Sequence, residues 1–300
     1  MSTAAARKEL MSKKLAGMRQ IPTIPAVLMR LLEYLRQPTE SLDIQKVSEM
    51  ISQDNALAVQ CLQMANSPLF ARRKSVDTLR GAIMSLGIRH VSDIAMSCGL
   101  LSVLPTAAAG LDPVVLWEHS LGCALISGHL ARKAGFSDPS KAYLAGLLHD
   151  LGLIVNLWVL PEEFKAAYEL ARQEGIPLHE AEARTLGFTH CDSGRLLAEQ
   201  WSLSPDLVDV VAFHHLDQSA SEHGALITIV RLSDILCRMS SLNYGYVEAC
   251  QVDISQEDGF APLVRQFPAM AGMDWARLTF ELDSYMDEVK QLVQAVYRKR

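Results

Sequence analysis

The residues that begin and end helices are the feature of this sequence that most restricts its fold. Three pairs in the second half of the chain place a potential capping side chain directly before a proline, a residue suited to the first helical turn: Asp112-Pro113, Asp138-Pro139 and Ser204-Pro205. Glycines stand where such helices should stop, at Gly135, Gly175 and Gly187. Apolar residues repeat at helical spacing throughout, and no alternating strand pattern of useful length is present. The chain is therefore predicted to be all-α.

Composition agrees with helices and excludes several classes of protein. Hydrophobic residues make up 49% of the chain and aromatic residues only 6%, which suits helices better than strands. The formal net charge of −6 argues against a broad nucleic-acid surface. No run approaches the roughly 20 apolar residues of a membrane span, and the basic N-terminus lacks the apolar stretch of a signal peptide. The 6 cysteines form no CxxC pair, so neither a disulfide framework nor a thiolate zinc site is predicted, and we expect a cytoplasmic protein.

The chain divides into four predicted parts. A basic segment covers residues 1–20, and an N-terminal helical part covers 21–105. The segment TAAAG at 106–110 is the best candidate boundary before a second helical part, 106–245. Residues 246–300 form a C-terminal helical extension, whose last helix is amphipathic and has a basic end that complements its dipole.

The stretch GLLHDLGL at 146–153 places two strong metal ligands, His149 and Asp150, among small and apolar residues. Adjacent helical residues point about 100° apart, so the two side chains do not share one ideal face. They can still converge on an ion beside a helix end, and Gly152 suggests that the helix ends there. The alternative is a buried polar pair that is satisfied by hydrogen bonds. These eight residues alone are consistent with both a metal site and a hydrogen-bonded buried pair.

Further histidines and an aspartate occupy helix ends or apolar faces after residue 112. They are His119, His190, His214, His215 and Asp234. Each has an ordinary explanation alone: His214 and His215 fit a solvated helix terminus, and Asp234 fits an ion pair with Arg231 or Arg238. Together with His149 and Asp150 they indicate a site, because none of these five histidines belongs to a polar run.

These residues resemble those of a known family. The order His119, His149-Asp150, Asp234 resembles the HD superfamily of metal-dependent phosphohydrolases. The N-terminal half is similar to HDOD proteins in IPTIPAVLMRLLEYL, SQDNALAVQCLQMANSPLF and RGAIMSLGIRHV, and the match continues through WEHS, AGLLHDLGLIV and LGFTHCDSGRLLAEQW, over about residues 20–240. The resemblance implies an all-helical bacterial signalling module: an HD-like helical bundle at 106–245 with an N-terminal helical subdomain. Such modules are related to the HD-GYP phosphodiesterases that cleave cyclic di-GMP.

The resemblance also implies a set of metal ligands. All seven positions used by HD-GYP enzymes are matched, by His119, His149, Asp150, His190, His214, His215 and Asp234. It implies up to two divalent metal ions that share Asp150, and ligands of nitrogen and oxygen suit iron, manganese, nickel or zinc without choosing among them. No catalytic residue is assigned; if the centre is active, Asp150 and a metal-bound water would carry the reaction.

The positions at which this sequence departs from the HD-GYP pattern are ones that bind substrate or metal in those enzymes. Leu153 stands where the family has a phosphate-binding lysine, Val115 replaces a glutamate used by some members, and the loop HHLDQSASEHG lacks the GYP motif. Without that lysine, a cation is missing where phosphoryl chemistry needs one, unless Arg184, Arg195 or Arg231 substitutes. We therefore favour a regulatory module that binds a signalling protein partner or a small phosphate-containing ligand, with a homodimer left open. The alternative is a phosphohydrolase acting on a nucleotide or cyclic dinucleotide.

Overall fold

The computed structural model describes residue 13 and residues 25–70, 75–105, 110–216, 221–249, 253–257 and 259–297. All regular structure in these residues is helical, which confirms the all-α prediction. The chain forms two compact units. The smaller unit contains the described residues from 25 to Leu104 and those from Ser284 onward, and the larger unit contains Pro105–Asp283.

The smaller unit is built from short helices around an aliphatic core. Its helices are α1 Ala26–Leu35, α2 Ile44–Ser52, α3 Asn55–Ala65, α4 Leu79–Leu86 and α5 Ile88–Val103, with a 3-10 turn at Thr39–Ser41. The side chains of Leu31, Ile51, Met64 and Ile94 are fully buried in that core. After α3, the Asn66 side chain donates to the carbonyl of Val76 and accepts from its N–H, both at 2.7 Å. This bridge gives the MANSPLF motif a structural role.

The larger unit surrounds one long buried helix. Its helices are α6 Pro113–Ala134, α7 Pro139–Leu148, α8 Leu151–Val159, α9 Pro161–Glu174, α10 Leu178–Thr185, α11 His190–Gln200, α12 Pro205–Phe213, α13 Gly224–Arg238 and α14 Phe260–Gln266, with 3-10 turns at Ile254–Gln256 and Pro268–Gly272. Helix α15, Trp275–Tyr297, begins in this unit and ends in the smaller one. Helix α6 packs against α7 and α13, and its Trp117 is fully buried.

Predicted caps determine where several helices that carry candidate ligands begin and end. The Asp112 carboxylate accepts from the N–H of Val114 at the start of α6, and the Asp138 carboxylate accepts from the N–H of Lys141 at the start of α7. Gly135 and Gly175 end α6 and α9 in the left-handed conformation. A capping box formed by Thr189 and Asp192 starts α11. Local sequence thus determines where α6, α7 and α11 begin.

Gly152 does not end a helix, and that expectation was wrong. Helix α7 ends at Leu148, His149 and Asp150 form a turn, and Gly152 lies buried inside α8. A Cβ atom at Gly152 would lie only 1.7 Å from the carbonyl oxygen of His190, and one at Gly194 would lie 2.9 Å from the backbone nitrogen of Gly152. Glycine is needed on both helices because α8 and α11 approach closely, which brings His190 next to Asp150.

One stretch of the described residues, Pro139–Val159, is long and apolar enough to cross a membrane. It covers α7, the following turn and α8. In its most apolar window 83% of the residues are buried inside the protein, as in the core helix of any folded protein, so it is weak evidence for a membrane span.

Candidate metal centre

The structure brings all seven predicted ligands together in the larger unit. They come from α6, from the turn between α7 and α8, from the first residue of α11, from the two residues after α12, and from α13. In chain order these are His119, His149, Asp150, His190, His214, His215 and Asp234. His214 is fully buried and the side chain of His215 is only 8% exposed, so the solvated-terminus interpretation of these two histidines was wrong.

We call His119, His149, Asp234 and Oδ2 of Asp150 the first cluster. The Nε2 atom of His119 lies 3.4 Å from Nε2 of His149 and 3.5 Å from Oδ2 of Asp150. It also lies 3.3 Å from Oδ1 of Asp234. The Nε2 atom of His149 is 3.4 Å from Oδ2 of Asp150 and 3.9 Å from Oδ1 of Asp234.

We call His190, His214, His215 and Oδ1 of Asp150 the second cluster. The Nε2 atom of His190 lies 3.3 Å from Nε2 of His214 and 3.1 Å from Nε2 of His215. Oδ1 of Asp150 is 3.4 Å from Nε2 of His190 and 3.7 Å from Nε2 of His214. The two oxygens of the Asp150 carboxylate therefore face different clusters.

The spacing of these atoms fits metal ions. Metal–ligand bonds of about 2.0–2.2 Å place neighbouring ligand atoms about 2.8–3.6 Å apart, and most of the contacts above lie in that range. Oδ1 of Asp150 is buried and has no hydrogen-bond partner, which is costly for a charged oxygen unless a cation meets it. The residues thus fit a pair of cations that share Asp150.

The imidazole rings are oriented with Nε2 towards the clusters. The Nδ1 atoms of His119, His149 and His214 donate to the backbone carbonyls of Leu242, Gly146 and Val210, at 2.7, 2.8 and 3.1 Å. The Nδ1 atom of His190 donates to Oε2 of Glu182 at 2.6 Å. In its neutral form each of these rings therefore carries its proton on Nδ1 and the lone pair on Nε2, as in histidines that bind metals.

Electrostatics hold two of the predicted ligands, Asp150 and His214, in the charge state that metal binding needs. Burial would raise the pKa of Asp150, but the neighbouring histidines, His149 and His190 foremost, lower it to about 2. Burial, reinforced by His149 and His190, lowers the pKa of His214 to about 3. At neutral pH the carboxylate is charged and this imidazole is neutral, so metal binding displaces no proton from either.

Four residues outside the predicted ligand set contact the predicted ligands, and sequence reasoning named Arg238 alone among them. They are Glu182 on His190, Arg238 on Asp234, Tyr244 on Asp150, and His179 on His215. Arg238 had been one of two alternatives for Asp234; its Nε lies 3.0 Å from both carboxylate oxygens, whereas Arg231 pairs with Glu257. The Asp234–Arg238 spacing of four residues was visible in the sequence, but the other three pairs join separate elements.

A model of the HDOD domain matches residues 21–216, about two thirds of the chain. The chain belongs to the HDOD domain family.

Solved structures share this fold over nearly the whole chain. An HDOD domain protein of unknown function from Geobacter sulfurreducens is 28% identical and superposes with a TM-score of 0.84, covering 98% of this chain and 99% of its own. A Shewanella amazonensis protein, provisionally named a phosphohydrolase, is 21% identical with a TM-score of 0.70 and covers 95% of this chain and 97% of its own; this likeness shows the fold alone. An uncharacterized Treponema pallidum protein is 26% identical over 220 residues, which are 73% of this chain and 42% of that protein. The chain thus spans less than half the length of this curated relative.

Leu153 stands where the resemblance to HD-GYP enzymes would place a phosphate-binding lysine. Leu153 lies in α8 with no exposed surface, so its side chain belongs to the core. Residues 217–220, in the loop that lacks GYP, lie outside the described residues. The three arginines considered as substitute cations have acidic partners: Arg184 pairs with Glu174, Arg195 with Glu199 and Arg231 with Glu257. Arg238 does contact a predicted ligand, Asp234, and it too is paired with acidic residues.

Proposed function

We propose that this HDOD chain is a bacterial signal-transduction module whose larger unit holds a divalent metal centre on the seven residues of the two clusters. The metal ions stabilise the unit, and the module binds a signalling protein partner or a small phosphate-containing ligand. The observation that carries this proposal is the enclosure of the ligands. Six of the seven are at most 2% exposed, the exception being His215.

Enclosure argues against rapid turnover of a large phosphodiester. Two-metal hydrolysis requires the scissile phosphate to lie against both ions, which are about 3.5–4 Å apart in such sites. Phosphoryl transfer also needs cations that meet the developing charge, and the position of the lysine in HD-GYP enzymes holds the buried Leu153 here. We therefore expect hydrolysis of cyclic di-GMP to be negligible.

A metal-dependent phosphohydrolase is the second candidate. The specific observation in its favour is that the two oxygens of Asp150 face separate clusters, as a bridging ligand requires. Divalent ions at these clusters would supply Lewis acidity to a phosphate ester. Asp150 would hold both ions in place, while the histidines would orient them through Nε2.

The experiment separates the two functions with one protein preparation. Metal content and melting temperature are measured for anaerobically purified protein, and turnover is measured with bis-p-nitrophenyl phosphate and cyclic di-GMP after loading with Fe²⁺ or Mn²⁺. We expect metal to raise the melting temperature without measurable turnover. Robust turnover that is abolished by Asp150→Ala would overturn this ranking and establish the enzyme.

A further inference from the structure

One short segment after α13 contacts two predicted ligands of the first cluster directly and a third through Arg238. We call residues 242–248 the strap. The carbonyl of Leu242 accepts from His119, the hydroxyl of Tyr244 donates to Asp150 at 2.6 Å, and the carboxylate of Glu248 accepts from Arg238, which itself holds Asp234. The strap and α13 thus fix the ligands of one cluster.

The strap is itself anchored on the larger unit. The hydroxyl of Tyr168, on α9, donates to the backbone carbonyl of Tyr244 at 2.7 Å. The hydroxyl of Tyr246 donates to the carbonyl of Ile176 at 2.9 Å. The ring of Tyr244 packs against the ring of His119 with centroids 4.3 Å apart, and Tyr244 is 2% exposed. The Tyr244 hydroxyl therefore has a fixed position next to Asp150.

The hydrogen bond from Tyr244 distinguishes the two oxygens of Asp150. Oδ2, which faces the first cluster, accepts from Tyr244, whereas Oδ1, which faces the second, has no hydrogen-bond partner. A carboxylate held at one oxygen cannot turn freely about its Cβ–Cγ bond. Without that restraint, both oxygens could turn towards one ion, and the bridge between two ions would be lost.

We propose that Tyr244 is a positioning residue for the metal ion of the first cluster, acting through Asp150. The inference rests on the proposed metal centre. Hydrogen bonds that orient a metal ligand typically change metal affinity by about 10–100-fold when they are removed. Because Tyr244 contacts Oδ2 alone, its removal weakens the ion of the first cluster more than the ion of the second.

The test compares two tyrosines of the strap. Tyr244→Phe removes the hydroxyl that contacts Asp150, and Tyr246→Phe removes a hydroxyl that contacts a backbone carbonyl outside both clusters. The metal-free proteins are titrated anaerobically with Co²⁺, and binding is followed by calorimetry and by the visible absorption of the bound ion. We expect two Co²⁺ per chain in the wild type and in Tyr246→Phe. In Tyr244→Phe one of the two binds about 10–100-fold more weakly, with altered absorption bands.

A milder variant covers the case in which Tyr244→Phe does not fold. Tyr168→Phe keeps the Tyr244 hydroxyl but removes the hydrogen bond that holds the backbone carbonyl of Tyr244 itself, a bond that Tyr246→Phe leaves intact. It should therefore weaken the same ion by a smaller factor. If Tyr244→Phe binds Co²⁺ as the wild type does, the inference is overturned. If that variant does not fold, wild-type binding in Tyr168→Phe would overturn it. Equal weakening in Tyr244→Phe and Tyr246→Phe would do the same. A wild type that binds no Co²⁺ would overturn the metal centre itself, an outcome distinct from these.

Discussion

Oε2 of Glu182 accepts two hydrogen bonds from His190, one from the backbone N–H at 2.8 Å and one from Nδ1 of the ring at 2.6 Å. The other oxygen, Oε1, accepts from the side-chain amide of Asn156 at 2.9 Å. Glu182 has no exposed surface. Both of its oxygens therefore face donors, and the carboxylate sets the orientation and tautomer of a predicted metal ligand.

Glu182→Gln should destabilise the protein and weaken metal binding. A neutral amide oxygen replaces the charged oxygen that accepts both hydrogen bonds from His190, and the amide nitrogen faces Asn156, whose own amide must turn so that Oδ1 accepts. Weakening buried hydrogen bonds to a charged group in this way costs about 1–3 kcal/mol. Metal affinity should fall by about 10–100-fold because the ring of His190 loses its charged partner. Urea unfolding and metal titration measure the two effects. Glu180→Gln, an exposed neighbour paired with Arg184, is the control and should change stability by less than about 0.5 kcal/mol. Equal effects of the two substitutions would contradict this role.

The metal-free protein should lose stability as the pH falls below about 6.5. Burial, with His149 and His190, lowers the pKa of His214 from 6.5 to about 3 in the folded state. Between these values the unfolded chain binds a proton there and the folded chain does not, so acid favours unfolding. The His190 pKa is raised well above 6.5, because Glu182 outweighs burial; its contribution is fully present below pH 6.5 and is lost only at higher pH.

Urea unfolding of chelator-treated protein at pH 6.5 and 5.0 measures this dependence. We expect the free energy of unfolding to fall by about 1–2 kcal/mol for each buried neutral histidine. His214→Gln should show a smaller fall than the wild type, although its absolute stability is lower. Equal stability of the wild type at the two pH values would contradict the prediction.

Arg238→Gln should be strongly destabilising in the metal-free protein. The guanidinium contacts both oxygens of Asp234 and also Glu248, and its side chain is 12% exposed. Removing one partner of a buried ion pair costs about 3–5 kcal/mol, because the remaining charge is left uncompensated. Arg195→Gln, which removes the exposed pair with Glu199, should cost no more than about 1 kcal/mol. Added metal should recover part of the loss in Arg238→Gln, since an ion also compensates Asp234; losses of equal size in the two variants would refute this account.

Much of the helical layout could be predicted because its determinants are local. The Asp112 carboxylate caps an N–H two residues later, so the start of α6 is visible in a few letters of sequence. The seven candidate ligands were singled out by their placement on helix ends and apolar faces, but only the family resemblance joined them into one metal site, since they lie on elements far apart in the chain. Tyr244 could not be found this way, because its contact with Asp150 spans 94 residues. Glu182 left a weak signal, an acidic residue four positions after Leu178 on the buried face of α10.

Gly152 shows why the remaining misinterpretation arose. Glycine near a helix end commonly marks a terminus, but this glycine is required by the backbone of another helix, which no local pattern reveals. Gly152→Ala should therefore lower the melting temperature, because its Cβ would overlap the carbonyl of His190 and force α8 and α11 apart. Gly272→Ala, where a Cβ meets open space, is the matched control. Thermal unfolding that does not distinguish the two variants would contradict the close approach.

The metal content of purified protein tests the central claim most directly. Asp150→Ala removes the carboxylate that faces both clusters, and Asp209→Ala is its control, because Asp209 pairs with His223 instead. Elemental analysis after anaerobic purification and loading should give up to two divalent ions per chain in the wild type and in Asp209→Ala. Asp150→Ala should lose metal from both clusters. Full metal occupancy in Asp150→Ala, or no bound metal in the wild type, would contradict a centre shared through Asp150.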